Sequence, residues 1–234
     1  MSAIRKERIQ TSDSRKPMQE ASSPADRKPP VRGIVLAGGR SSRMGTDKAL
    51  LTIGGQPLIR HLCSQLLNVC DEVIVVTAGP GDRKYKKPLA DLGKHVRFAA
   101  DEYGGQGPLA GIHAGLSATP DGYGFVMACD MPRLSVPLFR DMAGRLDGRV
   151  EAVMCEGQPF HAFYHHRTAA RAEAFLMEGQ LRLQAFCRSL DAVTVPPDDS
   201  ECFRNLNTPE EFEQYVTALP GLSPERRPLD FLSP

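Results

Sequence analysis

The chain has 234 residues, a length that suits one sizeable domain and is short for two. Its 41% hydrophobic and 24% charged content is ordinary for a globular protein. The formal net charge of +1 argues against a nucleic-acid or membrane binder that works through bulk electrostatics, although a local cationic pocket remains compatible with it. We expect no transmembrane span, because no apolar run approaches the ~20 residues needed to cross a bilayer.

The two ends of the chain differ from its middle. Residues 1–30 are polar, charged and proline-containing, and are predicted to be a disordered extension. Residues 220–234 carry four prolines and are predicted to be a proline-rich tail after a domain at 31–219. We expect the charged N-terminus not to be a signal peptide, because no apolar stretch follows it. Six scattered cysteines without a C-x-x-C pair predict reduced, mostly buried thiols in a cytoplasmic protein.

Between these ends, predicted strands and helices alternate. Continuous apolar runs predict strands at 32–37, 72–78, 95–100, 123–130 and 191–196, and 150–155 with 159–165 reads as a strand pair. Helical spacing predicts helices at 57–69, 108–118, 136–146, about 168–178, 182–189 and 208–219. Thr208, Pro209 and Glu211 have the arrangement of a capping box. Such alternation predicts one α/β domain whose mostly parallel sheet is covered on both faces.

A glycine-rich stretch, LAGGRSSRMGTDK, follows the first predicted strand at 36–48. Its spacing fits neither the dinucleotide fingerprint nor the P-loop. Glycines still let main-chain N–H groups approach a phosphate closely, which Gly38 and Gly39 could do. Arg43 and Lys48 could neutralise the phosphate charge. A solvated strand-to-helix turn is the alternative, and the strand context with its cations favours a phosphate-binding loop.

Four stretches together resemble the molybdenum cofactor guanylyltransferase family of nucleotidyltransferases. They are the loop at 36–48, GPLAGI at 107–112, CDMP at 129–132 and NLNTPEEF at 205–212, in the family's order. The resemblance implies a single Rossmann-like, three-layer α/β/α domain that uses Mg²⁺. It also implies transfer of GMP from GTP to molybdenum-bound molybdopterin, with release of pyrophosphate. The resemblance implies cofactor chaperones or molybdoenzymes as later partners. It implies no partnership with nucleic acid or with a membrane.

The resemblance also implies roles for single residues. It places Lys48, Arg43 and Asp130 in catalysis, and Asp130 on the metal. Nucleotide-binding residues would be Leu36, Ala37, Gly38, Gly39, Lys48, Asp101 and Asp130. Pterin-binding residues would be Gly107, Pro108, Leu109, Arg182, Asn205 and Asn207.

The residue types fit these roles, with simpler alternatives beside them. A carboxylate at Asp130 after an apolar run suits Mg²⁺, which favours one or two carboxylates with phosphate oxygens and water. The alternative is a capping aspartate before Pro132. Asp101 could equally be a turn residue, and Arg182 a solvated surface group. Alternation should place the Asn205 and Asn207 amides on one face, with Leu206 opposite.

Other functions share parts of this pattern. Cytidylyltransferases acting on the same pterin usually read Leu-Ala-Ala-Gly in the first loop, whereas this chain reads Leu-Ala-Gly-Gly, which favours guanine. Sugar-phosphate and isoprenoid nucleotidyltransferases share the loop, and a nucleotide-binding regulator without turnover is the non-enzymatic alternative. A dehydrogenase is disfavoured, because this sequence does not contain the dinucleotide-binding fingerprint. His161, His165 and His166 match no standard zinc spacing and are interpreted as strand-face histidines.

Overall fold

The computed structural model describes residues 28–37, 47–79, 83–197 and 200–219. The predicted tail at 220–234 and the predicted extension, apart from residues 28–30, lie outside the described residues. Two sheets are present in the described part of the chain. Seven strands form the main sheet, β1 (Val31–Leu36), β4 (Val73–Thr77), β5 (Val96–Ala100), β6 (Tyr123–Ala128), β7 (Ala152–Cys155), β8 (Gln158–His165) and β9 (Ala192–Val195). β2 (Thr52–Ile53) and β3 (Gln56–Pro57) form a small hairpin.

The main sheet is mostly parallel, as its apolar strands predict. Its order is β5-β4-β1-β6-β8-β7-β9, and only β8 runs against the others. β1 is central, with Ile34 in register with Ile74 of β4 and Val126 of β6. The predicted strand pair near 150–165 is confirmed as the antiparallel hairpin β7–β8.

Seven α-helices surround the sheet in the described residues. They are α1 (Leu58–Leu67), α2 (Arg83–Leu89), α3 (Pro108–Ser117), α4 (Val136–Ala143), α5 (Ala169–Met177), α6 (Leu183–Arg188) and α7 (Pro209–Ala218). Buried side chains of α1, α2, α4 and α7 share one hydrophobic core with one sheet face. Those of α3, α5 and α6 share a second core with the opposite face. The predicted three-layer α/β/α architecture is therefore confirmed.

Helix α3 packs very closely on the sheet. A Cβ atom added at Gly115 would lie 2.5 Å from Cγ2 of Ile34 and 3.3 Å from Cγ2 of Val76. These are branched side chains of two central strands, so neither can swing away. Glycine at 115 therefore sets how near α3 approaches the sheet, and with it the position of the helix start.

Several local features differ from the expectation or complete it. Helix α2 and the β2–β3 hairpin were not predicted. Strand β6 ends at Ala128, so Asp130 lies two residues beyond the strand instead of ending it. All six cysteines are buried and lie outside disulfides, as predicted. None of the helices in the described ranges is long and apolar enough to span a bilayer.

Candidate active site

The candidate site lies along the edge of the sheet where the parallel strands end. Ala37 follows β1, Thr77 ends β4, Asp101 follows β5 and Asp130 comes shortly after β6. In open α/β sheets, ligands bind outside the carboxyl ends of the strands. The topology therefore brings residues from four distant parts of the chain to the edge at which a ligand is expected.

Lys48 projects from a short 3₁₀ turn, Lys48–Leu50, at this edge. Asp47 caps the turn, because its Oδ1 accepts a hydrogen bond from the Ala49 N–H over 3.1 Å. Lys48 Nζ donates to Oδ1 of Asn207 over 3.1 Å, across 159 residues of sequence. The candidate cation and one predicted substrate-binding amide are thus in direct contact.

The segment with the two asparagines is fastened to the segment that carries Asp130. The main-chain N–H of Leu206 donates to the carbonyl oxygen of Asp130 over 2.7 Å, and the Leu206 side chain is only 2% exposed. Asn205 and Asn207 are both exposed on either side of it, the alternation expected of extended chain. Asn207 therefore lies against Lys48, and its neighbour Leu206 lies against the main chain of Asp130.

A complete capping box holds Asn207. The Glu211 carboxylate accepts from the main-chain N–H groups of Asn207 (2.6 Å) and Thr208 (3.0 Å), and Thr208 Oγ1 accepts from the Glu211 N–H. These bonds, that of Asn207 first, lower the pKa of Glu211. The predicted box at the start of α7 is confirmed, and it fixes the backbone beside the Lys48 contact.

The chemistry of Asp130 fits a hard divalent cation. Its side chain is half-buried at the sheet edge, and its carboxylate has no hydrogen-bonded partner within the described part of the chain. No group of three or more His, Cys, Asp or Glu side chains suited to a metal occurs among the described residues. Mg²⁺ needs no such group, because it commonly takes one or two protein carboxylates and completes its shell with phosphate oxygens and water.

Asp101 lies at the same edge but far from Asp130. Strands β4 and β1 separate them, which corresponds to roughly 14 Å at the usual strand spacing. The Asp101 N–H donates to Thr77 O (2.8 Å), and its Oδ1 accepts from the Tyr103 N–H (2.9 Å). Burial raises the pKa of Asp101, and the bond from Tyr103 works against that rise. The two carboxylates could serve different parts of one extended ligand, such as a nucleotide.

The predicted pterin residues are spread more widely. Gly107 precedes α3 with φ of 80°, Pro108 is its first residue, and the Leu109 side chain is fully buried in the core. Arg182 precedes α6 and is exposed, and the neighbouring Gln184 bonds to Gly157 O in the β7–β8 turn (3.1 Å). No hydrogen bond or ion pair joins either group to Lys48, Asp130 or Asn207 within the described residues.

The first loop is only partly described. Ala37 is buried, and its main-chain N–H donates to Val76 O over 2.9 Å, so this N–H is already used within the sheet. Leu36 lies at the end of β1 under Gly111 of α3. Gly38, Gly39 and Arg43 lie outside the described residues.

Sequence reasoning missed Tyr85 of α2. Its hydroxyl lies 2.8 Å from Oδ2 of Asp47 and 3.1 Å from the carbonyl oxygen of Ala37. Lys84 forms an ion pair with the same Asp47 oxygen. A tyrosine inside the basic stretch RKYKK carries no motif, so no sequence signal pointed to this contact.

Comparison with known proteins agrees with this architecture. Residues 33–193 match the model of the MobA-like NTP transferase domain. A molybdenum cofactor guanylyltransferase of Syntrophotalea carbinolica is 33% identical over 203 residues, covering 81% of this chain and 92% of that protein. A probable molybdenum cofactor guanylyltransferase of a Nostoc species is 32% identical over 206 residues, covering 85% and 96%.

Solved structures share the fold. The molybdopterin-guanine dinucleotide biosynthesis protein A of Archaeoglobus fulgidus superimposes with a TM-score of 0.64 at 23% identity, covering 80% of this chain and 97% of that one. A nucleotidyl transferase of Methanothermobacter gives a TM-score of 0.62 at 20% identity, covering 80% and 96%.

Proposed function

The chain belongs to the MobA-like NTP transferase family of nucleotidyltransferases, and from that premise we propose that it transfers GMP from GTP to the terminal phosphate of molybdenum-bound molybdopterin. The products would be the guanine dinucleotide form of the cofactor and pyrophosphate. The observation that supports the proposal is that two adjacent residues, Asn207 and Leu206, hydrogen-bond to the side chain of Lys48 and to the main chain of Asp130 at one sheet edge. It occurs in a chain 33% and 32% identical to relatives named for this activity.

The reaction needs no nucleophile from the protein. An oxygen of the pterin's terminal phosphate attacks the α-phosphorus of GTP and forms a new P–O bond. The bond from that phosphorus to the oxygen bridging to the β-phosphate breaks, and pyrophosphate leaves with its electron pair. Catalysis of such a transfer consists of in-line positioning and neutralisation of charge.

The described residues can supply both. Lys48 is a point charge beside the path of the phosphates, and its bond to Asn207 limits where its ammonium group can lie. Asn205 and Asn207 present exposed amides to the acceptor. Asp101 is available to the nucleoside part, and Gly107, Pro108, Leu109 and Arg182 are proposed to line the pterin side. Gly38, Gly39 and Arg43 keep the phosphate-binding roles predicted from the sequence.

Asp130 is the proposed ligand of Mg²⁺. When bound, the cation would neutralise phosphate charge as the substrates react. We propose the cytoplasm as the place of reaction, where cysteines outside disulfides, such as the six of this chain, stay reduced. A cofactor chaperone or a molybdoenzyme would then receive the product.

The first test measures thermal unfolding with GTP, CTP, ATP and UTP, each with and without Mg²⁺. A ligand at a hundred times its Kd adds about 2.7 kcal/mol to the free energy of unfolding. We expect a Mg²⁺-dependent rise in Tm with GTP alone. A rise with CTP alone would favour the cytidylyl alternative, and no rise with any nucleotide would contradict the proposal.

The second test follows transfer of labelled GMP to molybdopterin. Lys48→Ala should lower kcat by about a hundredfold or more, because a charge that stabilises the transition state is lost. Lys94→Ala removes an exposed lysine between α2 and β5 and is the matched control. Equal activity of the two variants would contradict the role of Lys48.

A further inference from the structure

Tyr85 is the one buried residue in a strongly basic part of α2. The residues around it, Arg83, Lys84, Lys86 and Lys87, are exposed, whereas Tyr85 is 1% exposed and belongs to the core that contains α1. The cations of this part of α2 thus lie in solvent, and its one phenol ring is buried near the carboxyl end of β1. The ring is held by packing, which fixes the position of the hydroxyl at its end.

The hydroxyl lies between the two residues that border positions 38–46. Ala37 O is 3.1 Å away at the end of β1, and Asp47 Oδ2 is 2.8 Å away at the start of the Lys48 turn. A phenol has one proton to donate, and a charged acceptor at the shorter distance takes the stronger bond. Asp47 is therefore the principal acceptor, with the Ala37 carbonyl a weaker second one.

Asp47 links Tyr85 to Lys48, because its carboxylate also caps the turn that carries Lys48. While Oδ2 accepts from Tyr85, Oδ1 accepts from the Ala49 N–H in the turn that carries Lys48. The two bonds hold both oxygens of the carboxylate and thus fix its rotamer. Lys84 also pairs with Oδ2, but its side chain is 52% exposed, so solvent weakens that attraction.

We propose that Tyr85 is a positioning residue for nucleotidyl transfer. It holds the Lys48 turn through Asp47 and fixes the position of that turn relative to the end of β1. The inference rests on the proposed function. A displacement of about 1 Å can cost a hundredfold in rate, since transfer depends on aligned groups. The phenol keeps its proton and transfers none in the reaction, because burial first, and then its bond to Asp47, raise the pKa of Tyr85 above its usual value.

Tyr85→Phe tests this with little change in packing. We expect kcat for GMP transfer to fall about tenfold to a hundredfold, with a smaller change in KM for GTP. Tyr123→Phe is the matched control, since Tyr123 is also buried and its hydroxyl donates to Val150 O over 2.7 Å at the opposite edge of the sheet. The control should lose similar stability and keep its kcat.

A second variant separates positioning through Asp47 from general loosening. Asp47→Asn can retain the Oδ1 cap, but its NH₂ group cannot accept from the phenol. If the phenol acts through this carboxylate, the Tyr85→Phe/Asp47→Asn double variant should be no slower than Asp47→Asn alone. Fully additive losses, a kcat of Tyr85→Phe within twofold of the parent, or an equal loss in Tyr123→Phe would each overturn the inference.

Hydrogen exchange gives a readout that does not depend on activity. The Ala49 amide, which Asp47 caps, should exchange faster in Tyr85→Phe than in the parent protein. Its exchange rate in Tyr123→Phe should equal that of the parent. A parent enzyme that transfers no nucleotide would refute the proposed function. The exchange rates would still decide whether Tyr85 holds the turn, and unchanged exchange in Tyr85→Phe would overturn the inference.

Discussion

His161 shows how strongly the site's surroundings are constrained at a single residue. It lies within β8 at φ of 52°, a conformation that residues other than glycine adopt at a cost, and is 1% exposed. Its Nε2 donates to Arg133 O over 2.9 Å, and its ring contacts Phe125 and Phe203 edge-on. The residue thus joins the segment after Asp130 to the segment before Asn205.

The imidazole of His161 must stay neutral in this setting. A carbonyl partner requires a proton on Nε2, so Nδ1 is the bare nitrogen, and it has no hydrogen-bond partner among the described atoms. Burial lowers the pKa of His161 to about 4, against the smaller opposing effect of the Arg133 bond. Burial, with Arg167 and His166 nearby, also lowers the pKa of His165 to about 4.

The free energy of unfolding should therefore rise between pH 4 and pH 6.5. In that window the unfolded histidines bind protons and the folded ones do not, so raising the pH favours the folded state. His161 alone would contribute about 3 kcal/mol across the window. Urea unfolding of the parent, His161→Asn and the exposed-site control His95→Asn measures the slope.

His161→Asn should flatten the slope, and His95→Asn should retain it. Asparagine tolerates positive φ better than most residues, so the substitution does not add backbone strain. Parallel pH curves for all three proteins would contradict a neutral buried His161.

At the scale of the element, α3 owes its position to one glycine. Gly115→Ala would usually favour a helix by about 1 kcal/mol, but here the new methyl group meets Ile34 and Val76. We expect it to lower the free energy of unfolding by roughly 1–3 kcal/mol, the usual cost of overpacking. Chemical denaturation measures this directly.

Gly111→Ala in the same helix is the control. Its Cβ would lie 3.2 Å from Cδ2 of Leu36, the end of a flexible side chain that can move by a few tenths of an ångström. We expect a change of no more than about 1 kcal/mol in either direction. Equal destabilisation by both substitutions would mean that Ile34 does not limit the approach of α3.

The sequence predicted those elements whose burial leaves a regular apolar pattern. Every strand of the main sheet and six of the described α-helices were predicted within a few residues. Helix α2 was missed because only Tyr85 and Leu89 are buried, basic residues surround Tyr85, and Pro88 lies inside the helix. The β2–β3 hairpin has strands of two residues, too short for any periodicity.

At the scale of the whole molecule, stability should be uneven across the site. Central strands β1 and β6 are paired on both sides and covered by both helical layers, whereas Phe212 is the single fully buried residue of α7. We expect native-state hydrogen exchange to give opening free energies at least about 2 kcal/mol lower for α7 than for β1. Equal values would mean that α7 unfolds only with the sheet.

The arrangement of the site was less predictable than its members. Motif order suggested Lys48, Asp130 and Asn207, but only the fold brings Lys48 to Asn207 and Leu206 to Asp130. The order of strands in the sheet is set by tertiary packing, so the separation of Asp101 from Asp130 by β4 and β1 had no local signal. Tyr85 contacts Asp47 although the two residues are 38 positions apart and belong to no common motif.

The contact between Lys48 and Asn207 also has a consequence for protein synthesis. A ribosome that adds about 5–20 residues per second reaches Asn207 roughly 8–30 seconds after Lys48, given the 159 positions between them. During that interval strands β1, β4, β5 and β6 can pair, but the hydrogen bond from Lys48 to Asn207 cannot form. The contact between Lys48 and Asn207 can therefore form only after most of the sheet has been made.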